Sequence, residues 1–248
     1  MTSTNAISPH PWLEELARRV EAVIDVGDAK SVHQLRVAAG RLSVWIELGG
    51  RAALRDDLRR LRRLVSHVRD VDVLLARRTD VAPDVQSAET RAEELRRARA
   101  ILATSAPQAL LVGLACVPWP EFEAAERCAR GFATRVVRAA RVVEQGDHAA
   151  EAVHRWRRRV RRARYALEWL GRDSTREREL QDVLGAWHDA AIEEVAAEVS
   201  SSAASDAQDP AALDSQRNAA RRERDAMLET ALSHFATDRE RWNAWARA

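Results

Sequence analysis

Residues 33–47 of the chain read HQLRVAAGRLSVWIE, and residues 154–168 read HRWRRRVRRARYALE. Both segments begin with a histidine that follows a valine, carry arginine three and eight residues later, and place glutamate fourteen residues after the histidine. The two histidines lie 121 positions apart in a chain of 248 residues. Self-similarity at a fixed separation indicates one structural unit used twice.

The second segment becomes amphipathic when it is wound as a helix. Successive helical residues are turned by about 100°, so residues three and four apart share a face. Trp156, Val160 and Leu167 lie on an apolar face, and basic residues lie opposite. We predict that this basic face binds an anion through His154, Arg157, Arg158, Arg161, Arg162, Arg164 and Tyr165.

The first segment has the same design with fewer charges. Leu35, Leu42 and Ile46 form its apolar stripe. Its polar face predicts a thinner wall of the anion site, made by Lys30, His33, Arg36 and Arg41.

The density of positive charge is unusual for a solvated helix face. Between residues 152 and 167 there are seven arginines and no Asp or Glu. Like charges at i and i+4 destabilise a helix by about 0.2 to 0.5 kcal/mol per pair, so a bound anion would relieve this repulsion. The alternative interpretation is that this face is ordinary solvent-exposed surface, because most runs of charged residues lie on such surface.

Composition narrows the class of protein. Hydrophobic residues make up 46% of the chain, which is enough for a sizeable core, and the net charge is only +2. We expect a soluble, cytoplasmic protein, because there is no apolar run of about 18 residues and no signal-peptide pattern. Cys116 and Cys128 lack metal-ligand spacing. We therefore expect no disulfide framework, metal site or cofactor, and no pairing of a nucleophile with a base indicates catalysis.

Helical periodicity runs through nearly the whole chain and predicts an all-α protein. We place helices at about 11–26, 30–48, 51–78, 86–116, 120–145, 149–170, 175–199 and 211–246. A second repeated patch, LRRLVSHVRD at 61–70 and LQDVLGAWHD at 180–189, supports the duplication. The prediction is one domain over 1–248 made of two four-helix bundles, 8–117 and 118–248, related by a pseudo-twofold axis with a basic groove or pore between them.

These motifs resemble those of the CHAD family, the conserved histidine α-helical domain. The resemblance rests on His-x-x-Arg-Val-x-x-x-Arg-Leu at 33–42, the second histidine segment at 154–168, Arg-Asp-x-Asp-Val at 69–73 and Leu-Gln-Asp-x-Leu-Gly at 180–185. It implies two four-helix bundles whose basic central cavity binds inorganic polyphosphate, with no catalysis by the domain. The first segment departs from the family pattern, because Gly40 and Ser43 stand where further basic residues are usual.

Two other functions use the same electrostatics. The chain could bind RNA or DNA, or it could be a helical scaffold that docks an acidic protein or a storage granule. If His33 and His154 contact phosphate, they should gain charge as the pH falls through about 6.5, and binding should strengthen between pH 8 and pH 6.

Overall fold

The fold is built from α-helices. A computed structural model describes residues 6–52, 54–77, 85–146, 148–203 and 210–248, and the all-α class predicted from the sequence is confirmed. The helices of the described residues are α1 His10–Asp25, α2 Ala29–Leu48, α3 Arg55–Leu64, α4 Ser66–Arg77, α5 Val85–Leu102, α6 Ala106–Cys116, α7 Phe122–Glu144, α8 Ala150–Trp169, α9 Thr175–Ala203, α10 Pro210–Thr237 and α11 Arg239–Arg247.

The chain divides into two compact units, residues 1–128 and residues 129–248. Helices α1 to α6 belong to the first unit, α7 runs across the boundary, and α8 to α11 belong to the second. The pairing of two four-helix bundles, 8–117 and 118–248, about a pseudo-twofold axis stays a prediction. The basic groove or pore between them also stays a prediction.

The core of the first unit forms where α1 packs on α2. Val20 of α1 and Leu35 and Leu42 of α2 are buried, so the apolar stripe predicted for the first repeat is indeed the buried face of its helix. Trp45 is also fully buried, and its indole Nε1 donates a 2.8 Å hydrogen bond to the carbonyl oxygen of Ile7. This bond satisfies a polar group that would otherwise be costly to bury.

An aspartate cap starts α2. The Oδ1 atom of Asp28 accepts a 2.7 Å hydrogen bond from the backbone N–H of Ser31, and the Ser31 hydroxyl donates to the carbonyl of Asp28 at 2.9 Å. The hydrogen bond from Ser31 lowers the pKa of Asp28. Gly27, with a φ of +64°, supplies the left-handed backbone that ends α1 just before this cap.

An aromatic cluster holds the second unit together. Trp156 of α8 is fully buried and meets Phe235 of α10 edge to face, with ring centroids 5.6 Å apart. Phe235 also neighbours Trp242 of α11, which stacks on Trp245 at a centroid distance of 5.5 Å. The cluster therefore joins three helices through large rings.

Three of the helices predicted from the sequence are interrupted. The helix predicted over 51–78 breaks at Val65 into α3 and α4, and the helix predicted over 86–116 breaks at residues 103–105 into α5 and α6. Pro107 lies in the first turn of α6, where its missing N–H costs nothing but prevents a continuous helix. The last predicted helix breaks at Asp238, whose carboxylate pairs with Arg176 of α9.

Helix α6 is the most apolar of the helices described in the first unit. Within the described ranges, no single helix is both long and apolar enough to span a membrane. The segments Ala88–Leu102 and Ala106–Cys116 reach the required length and composition only together, and they meet at a bend of 55°. Ile101 on α5 and Val112 on α6 are each about half exposed.

We predict that Trp242→Ala destabilises the protein by about 3 to 5 kcal/mol, because the substitution leaves a large cavity beside Phe235. In a protein of this size, the loss should lower the melting temperature by roughly 10 °C. Thermal unfolding followed by circular dichroism measures the change. Trp119→Ala is the control, since that ring is 40% exposed. An equal shift for both variants would contradict the role given to the aromatic cluster.

Candidate anion-binding site

Helix α8 carries the second histidine segment and orients its side chains. Its buried stripe includes Val153, Trp156 and Val160, and the contact of Trp156 with Phe235 fixes the rotation of the helix about its axis. At this rotation, His154 and Arg157 lie against residues of α9. The site of the second unit is thus built on two helices that the core holds in place.

The guanidinium of Arg157 lies beside a glycine of α9. A Cβ atom added at Gly185 would be 3.6 Å from Nη2 of Arg157, so the guanidinium lies close to the helix backbone at this turn. Burial lowers the pKa of Arg157, and the positive charge of Arg161 lowers it further. Asp189 and Asp182 of α9 oppose this shift. Within the described residues, however, Arg157 has no carboxylate in ion-pair contact.

Arg161 lies one turn further along the same face. Burial lowers its pKa, and the neighbouring charges of Arg164 and Arg158 act in the same direction, whereas Tyr165 opposes them. No ion pair to Arg161 forms among the residues that the structure describes. The face therefore presents two partly buried guanidinium groups that repel each other and lack a carboxylate counterion in contact.

His154 is the third member of this face. Its ring centroid is 5.2 Å from that of His188 on α9, with the two planes tilted by 45°. Its Nδ1 atom is buried and has no hydrogen-bond partner among the described residues. Burial lowers the pKa of His154 to about 4, and the nearby Arg158, His188 and Arg157 contribute to the shift, with Glu151 opposing.

Two of the predicted site arginines point towards other groups. Arg158 is exposed, and its Nη2 donates a 3.2 Å hydrogen bond to Glu151 of the same helix. The guanidinium carbon of Arg162 lies 5.5 Å from the ring centroid of Phe132 on α7. That ring also contacts Arg135 at 4.6 Å. Cation–π contacts of this kind hold a guanidinium in place and leave its N–H donors at the edge of the ring plane.

Arg164 and Tyr165 are more deeply buried than the wheel of α8 suggests. The side chain of Arg164 is within 3.3 Å of Glu168 through its Nε atom, and its guanidinium carbon lies 5.0 Å from the ring of Tyr165. Both residues are less than 10% exposed. Arg164 therefore already has an acidic partner, and its part in anion binding stays a prediction, as does that of Tyr165.

The residues predicted on α2 lie in the first unit. Lys30 and His33 are exposed, and Arg36 is half-buried. The guanidinium carbon of Arg41 lies 4.3 Å above the ring of Trp12 on α1, which orients the side chain along the surface of that helix. These four residues share the polar side of α2, as the sequence predicts, and their contact with an anion stays a prediction.

Helix α9 supplies residues of this site that the sequence does not predict. The candidate set from the sequence came from the histidine helices alone, although the repeat at 180–189 marked α9 as a duplicated element. Gln181, Gly185 and His188 are spaced four and three residues apart and therefore share one side of α9. This spacing predicts that the three residues share one side of α9. It does not predict that this side packs against α8.

Comparison with known proteins identifies the family. The family model described as the CHAD domain matches residues 11–198, about three quarters of the chain. The chain belongs to the CHAD domain family. Two solved structures share its fold, and no curated protein matches its sequence.

The first of these structures is the crystal structure of the CHAD domain from the plant Ricinus communis. It has 20% sequence identity and a TM-score of 0.67, and the match covers 95% of this chain and 93% of that one. The second is PptA from Streptomyces chartreusis, with 16% identity, a TM-score of 0.63, and coverage of 96% of this chain and 98% of that one. At these identities the likeness concerns the fold alone.

The CHAD match includes both histidine helices and α9 as far as residue 198. Gly40 and Ser43, which replace the basic residues usual at those positions, are both buried. Gly40 lies seven residues after His33 and Ser43 seven residues after Arg36, so each lies only about 20° around α2 from that residue. The departure therefore falls on the predicted polar side of α2, which is exposed at His33 and buried two turns later. Within the described part of this CHAD domain, no cluster of three His, Cys, Asp or Glu side chains is placed to hold a metal ion.

The structure corrects the expected titration of His154. We expected this histidine of the CHAD domain to gain charge as the pH falls through about 6.5, but its pKa is lowered to about 4. In the unliganded protein it therefore stays neutral between pH 8 and pH 6. The physical reason is that burial and two adjacent arginines both disfavour the imidazolium.

The lowered pKa predicts how folding stability depends on pH. The unfolded chain binds a proton at His154 near pH 6.5 and the folded CHAD domain only near pH 4, so stability falls as the pH drops through this interval. The contribution is at most about 3 kcal/mol. The free energy of unfolding, measured with urea, should fall less between pH 7 and pH 4.5 in the His154→Gln variant than in the parent protein.

His234→Gln is the control for this measurement, because it removes an exposed histidine from the same unit. The control should follow the pH dependence of the parent. If His154→Gln loses as much stability as the parent between the two pH values, the imidazole is not desolvated in the way the structure shows.

A second prediction concerns the stability cost of Arg161. Replacing a buried charge that lacks a counterion with an apolar side chain is often stabilising by about 1 kcal/mol or more. Arg161→Met should therefore raise the melting temperature of the unliganded CHAD domain by roughly 2 to 4 °C. The control variant Arg155→Met, on an exposed side of α8, should leave the melting temperature unchanged. A lower melting temperature for Arg161→Met would show that the guanidinium makes a stabilising contact.

Proposed function

We propose that this CHAD domain binds inorganic polyphosphate, and does so without catalysis, through the face of α8 that adjoins α9. The observation that supports the proposal is the pair of partly buried guanidinium groups, Arg157 and Arg161, that have no carboxylate in contact. A charged group that is desolvated without a counterion is costly, and a bound anion offsets that cost. The guanidinium group also matches the geometry of phosphate oxygens through bidentate hydrogen bonds.

His154 adds a donor whose charge depends on the ligand. Its neutral state in the free protein is a consequence of burial and of repulsion by Arg157 and Arg158. Phosphate oxygens beside these arginines would cancel the repulsion and raise the pKa of His154, so the imidazole would take up a proton as the anion binds. Binding would then strengthen chiefly below the pH 8 to 6 range that the sequence suggests.

The other residues predicted from the sequence to contact the anion extend the proposal. On α8 these are Arg158, Arg162, Arg164 and Tyr165, and on α2 they are Lys30, His33, Arg36 and Arg41. We assign them phosphate contacts secondary to those of Arg157 and Arg161. A cytoplasmic location, at polyphosphate or storage granules, belongs to the same proposal.

Nucleic acid is the principal competing ligand. Proteins that bind single strands usually stack bases on exposed aromatic rings, in addition to contacting phosphates. Trp45, Trp156 and Trp187 are at most 2% exposed, so these rings are not available for stacking. A linear polyanion without bases needs only the guanidinium and imidazole donors, which is why polyphosphate is the favoured ligand.

The test is competition among three polyanions. Fluorescently labelled long-chain polyphosphate is displaced by unlabelled polyphosphate, single-stranded DNA or heparin at several salt concentrations, and every affinity should fall with salt. We expect polyphosphate to compete best at moderate salt. The double variant Arg157→Ala/Arg161→Ala should weaken its binding roughly a hundredfold, since each charged hydrogen bond contributes about 1.5 to 3 kcal/mol.

The matched control removes the same charge from another side of the same helix. The control variant Arg155→Ala/Arg159→Ala changes residues that lie about 160° around α8 from Arg157 and Arg161. It should change the affinity by only a few-fold, through long-range charge. Equal losses in the two double variants, or equal binding of all three polyanions by the parent, would leave only a generic cationic surface. Circular dichroism and thermal melting establish that both variants are folded.

A further inference from the structure

The first unit contains a cavity of about 580 Å³ that is separate from the basic faces of α2 and α8. This volume lies within the range of roughly 300 to 1,000 Å³ found for small-molecule sites. Helices α3, α5 and α6 form its walls, and most of the surface is apolar. The apolar residues that line the cavity include Leu54, Leu61, Leu64, Ile101, Leu102 and Leu110.

Leu54 sits at this cavity in a strained backbone conformation. Its φ of +62° lies in the left-handed region, which costs a non-glycine residue about 1 kcal/mol or more. The side chain packs against Gly113 of α6, where an added Cβ would be only 3.1 Å from a methyl group of Leu54. The fold thus accepts strain at the start of α3 and keeps a small residue opposite, which together place an isobutyl group in the cavity wall.

Three charged residues of α3 also line the cavity, and their net charge is positive. Arg60 forms an ion pair with Asp57, with 3.6 Å between its Nη1 and Oδ1 of the aspartate, and its side chain is 75% exposed. Arg63 is exposed too, and it forms no ion pair within the part of the chain that the structure describes. The stems of arginine side chains pack along apolar surface while the guanidinium groups stay in water. The cavity therefore combines an apolar interior with cationic groups at its edge.

We propose that this cavity binds a single-chain alkyl carboxylate, with the hydrocarbon chain against α5 and α6 and the carboxylate at Arg60 and Arg63. The apolar lining accounts for the alkyl chain, and Arg63, which forms no ion pair with the described residues, accounts for an anionic head. A partner helix fits the observations less well. A stable protein interface buries about 800 Å² on each side, whereas this cavity is a local recess between three helices.

The experiment measures binding of dodecanoate, below its micelle-forming concentration, to the full chain by isothermal titration calorimetry. Dodecyltrimethylammonium and dodecanol carry the same alkyl chain with a cationic and a neutral head. Dodecanoate should bind with saturable 1:1 stoichiometry, and more tightly than either analogue. Equal or tighter binding of the cationic analogue, or no saturable binding of dodecanoate, would overturn the proposal.

Variants locate the bound molecule. Ala109→Trp fills the cavity from α6 and should abolish binding, and Ala106→Trp does so from the first residue of that helix if Ala109→Trp fails to fold. Arg60→Gln/Arg63→Gln should weaken dodecanoate about fivefold and leave dodecanol unchanged. Arg59→Gln is the matched control, because this exposed arginine of α3 does not line the cavity. Full binding by a folded Ala109→Trp or Ala106→Trp variant would place the ligand elsewhere.

Discussion

The edge-to-face contact of Trp156 with Phe235 is the interaction on which the arrangement of the second unit depends. A helix as basic as α8 has no electrostatic preference for one rotation, because arginines occur on several of its sides. The buried indole sets that rotation, and with it the side on which Arg157 and His154 meet α9. Van der Waals packing thus decides where the charges go, and electrostatics then decides what they can bind.

The same helix shows why binding and stability oppose each other at this site. Arg157 and Arg161 are partly desolvated, which lowers the pKa of both. The charge of Arg161 lowers the pKa of Arg157 further, and the charges of Arg164 and Arg158 do the same for Arg161. Elsewhere on α8 the structure neutralises such groups, as Glu168 does for Arg164 and Glu151 for Arg158. If this face accepts an external anion, as proposed, it cannot contain its own counterion, and the fold without a ligand would then tolerate a locally unfavourable charge distribution.

Periodicity was sufficient to predict the helical class and the apolar stripes of both repeats. Sequence could not place Arg164 or His154 correctly, because a helical wheel gives direction and not depth. Arg164 lies in the buried part of its own helix beside Glu168, and the burial of His154 depends on His188, thirty-four residues away in the chain. The break at Asp238 likewise coincides with a tertiary contact, the ion pair of Asp238 with Arg176.

The use of arginine instead of lysine on α8 has a consequence for the range of conditions in which the site remains cationic. The chain has a single lysine among its forty basic residues, and that lysine is on α2. An ammonium group in the surroundings of Arg161 would shed its proton far more readily, since buried lysines can fall to pKa values near neutrality. A guanidinium group starts from a much higher pKa than an ammonium group and retains its proton although burial lowers the pKa of Arg161. The arginines of this face therefore keep their charge when the pH changes, and His154 is the residue of the face whose charge depends on pH.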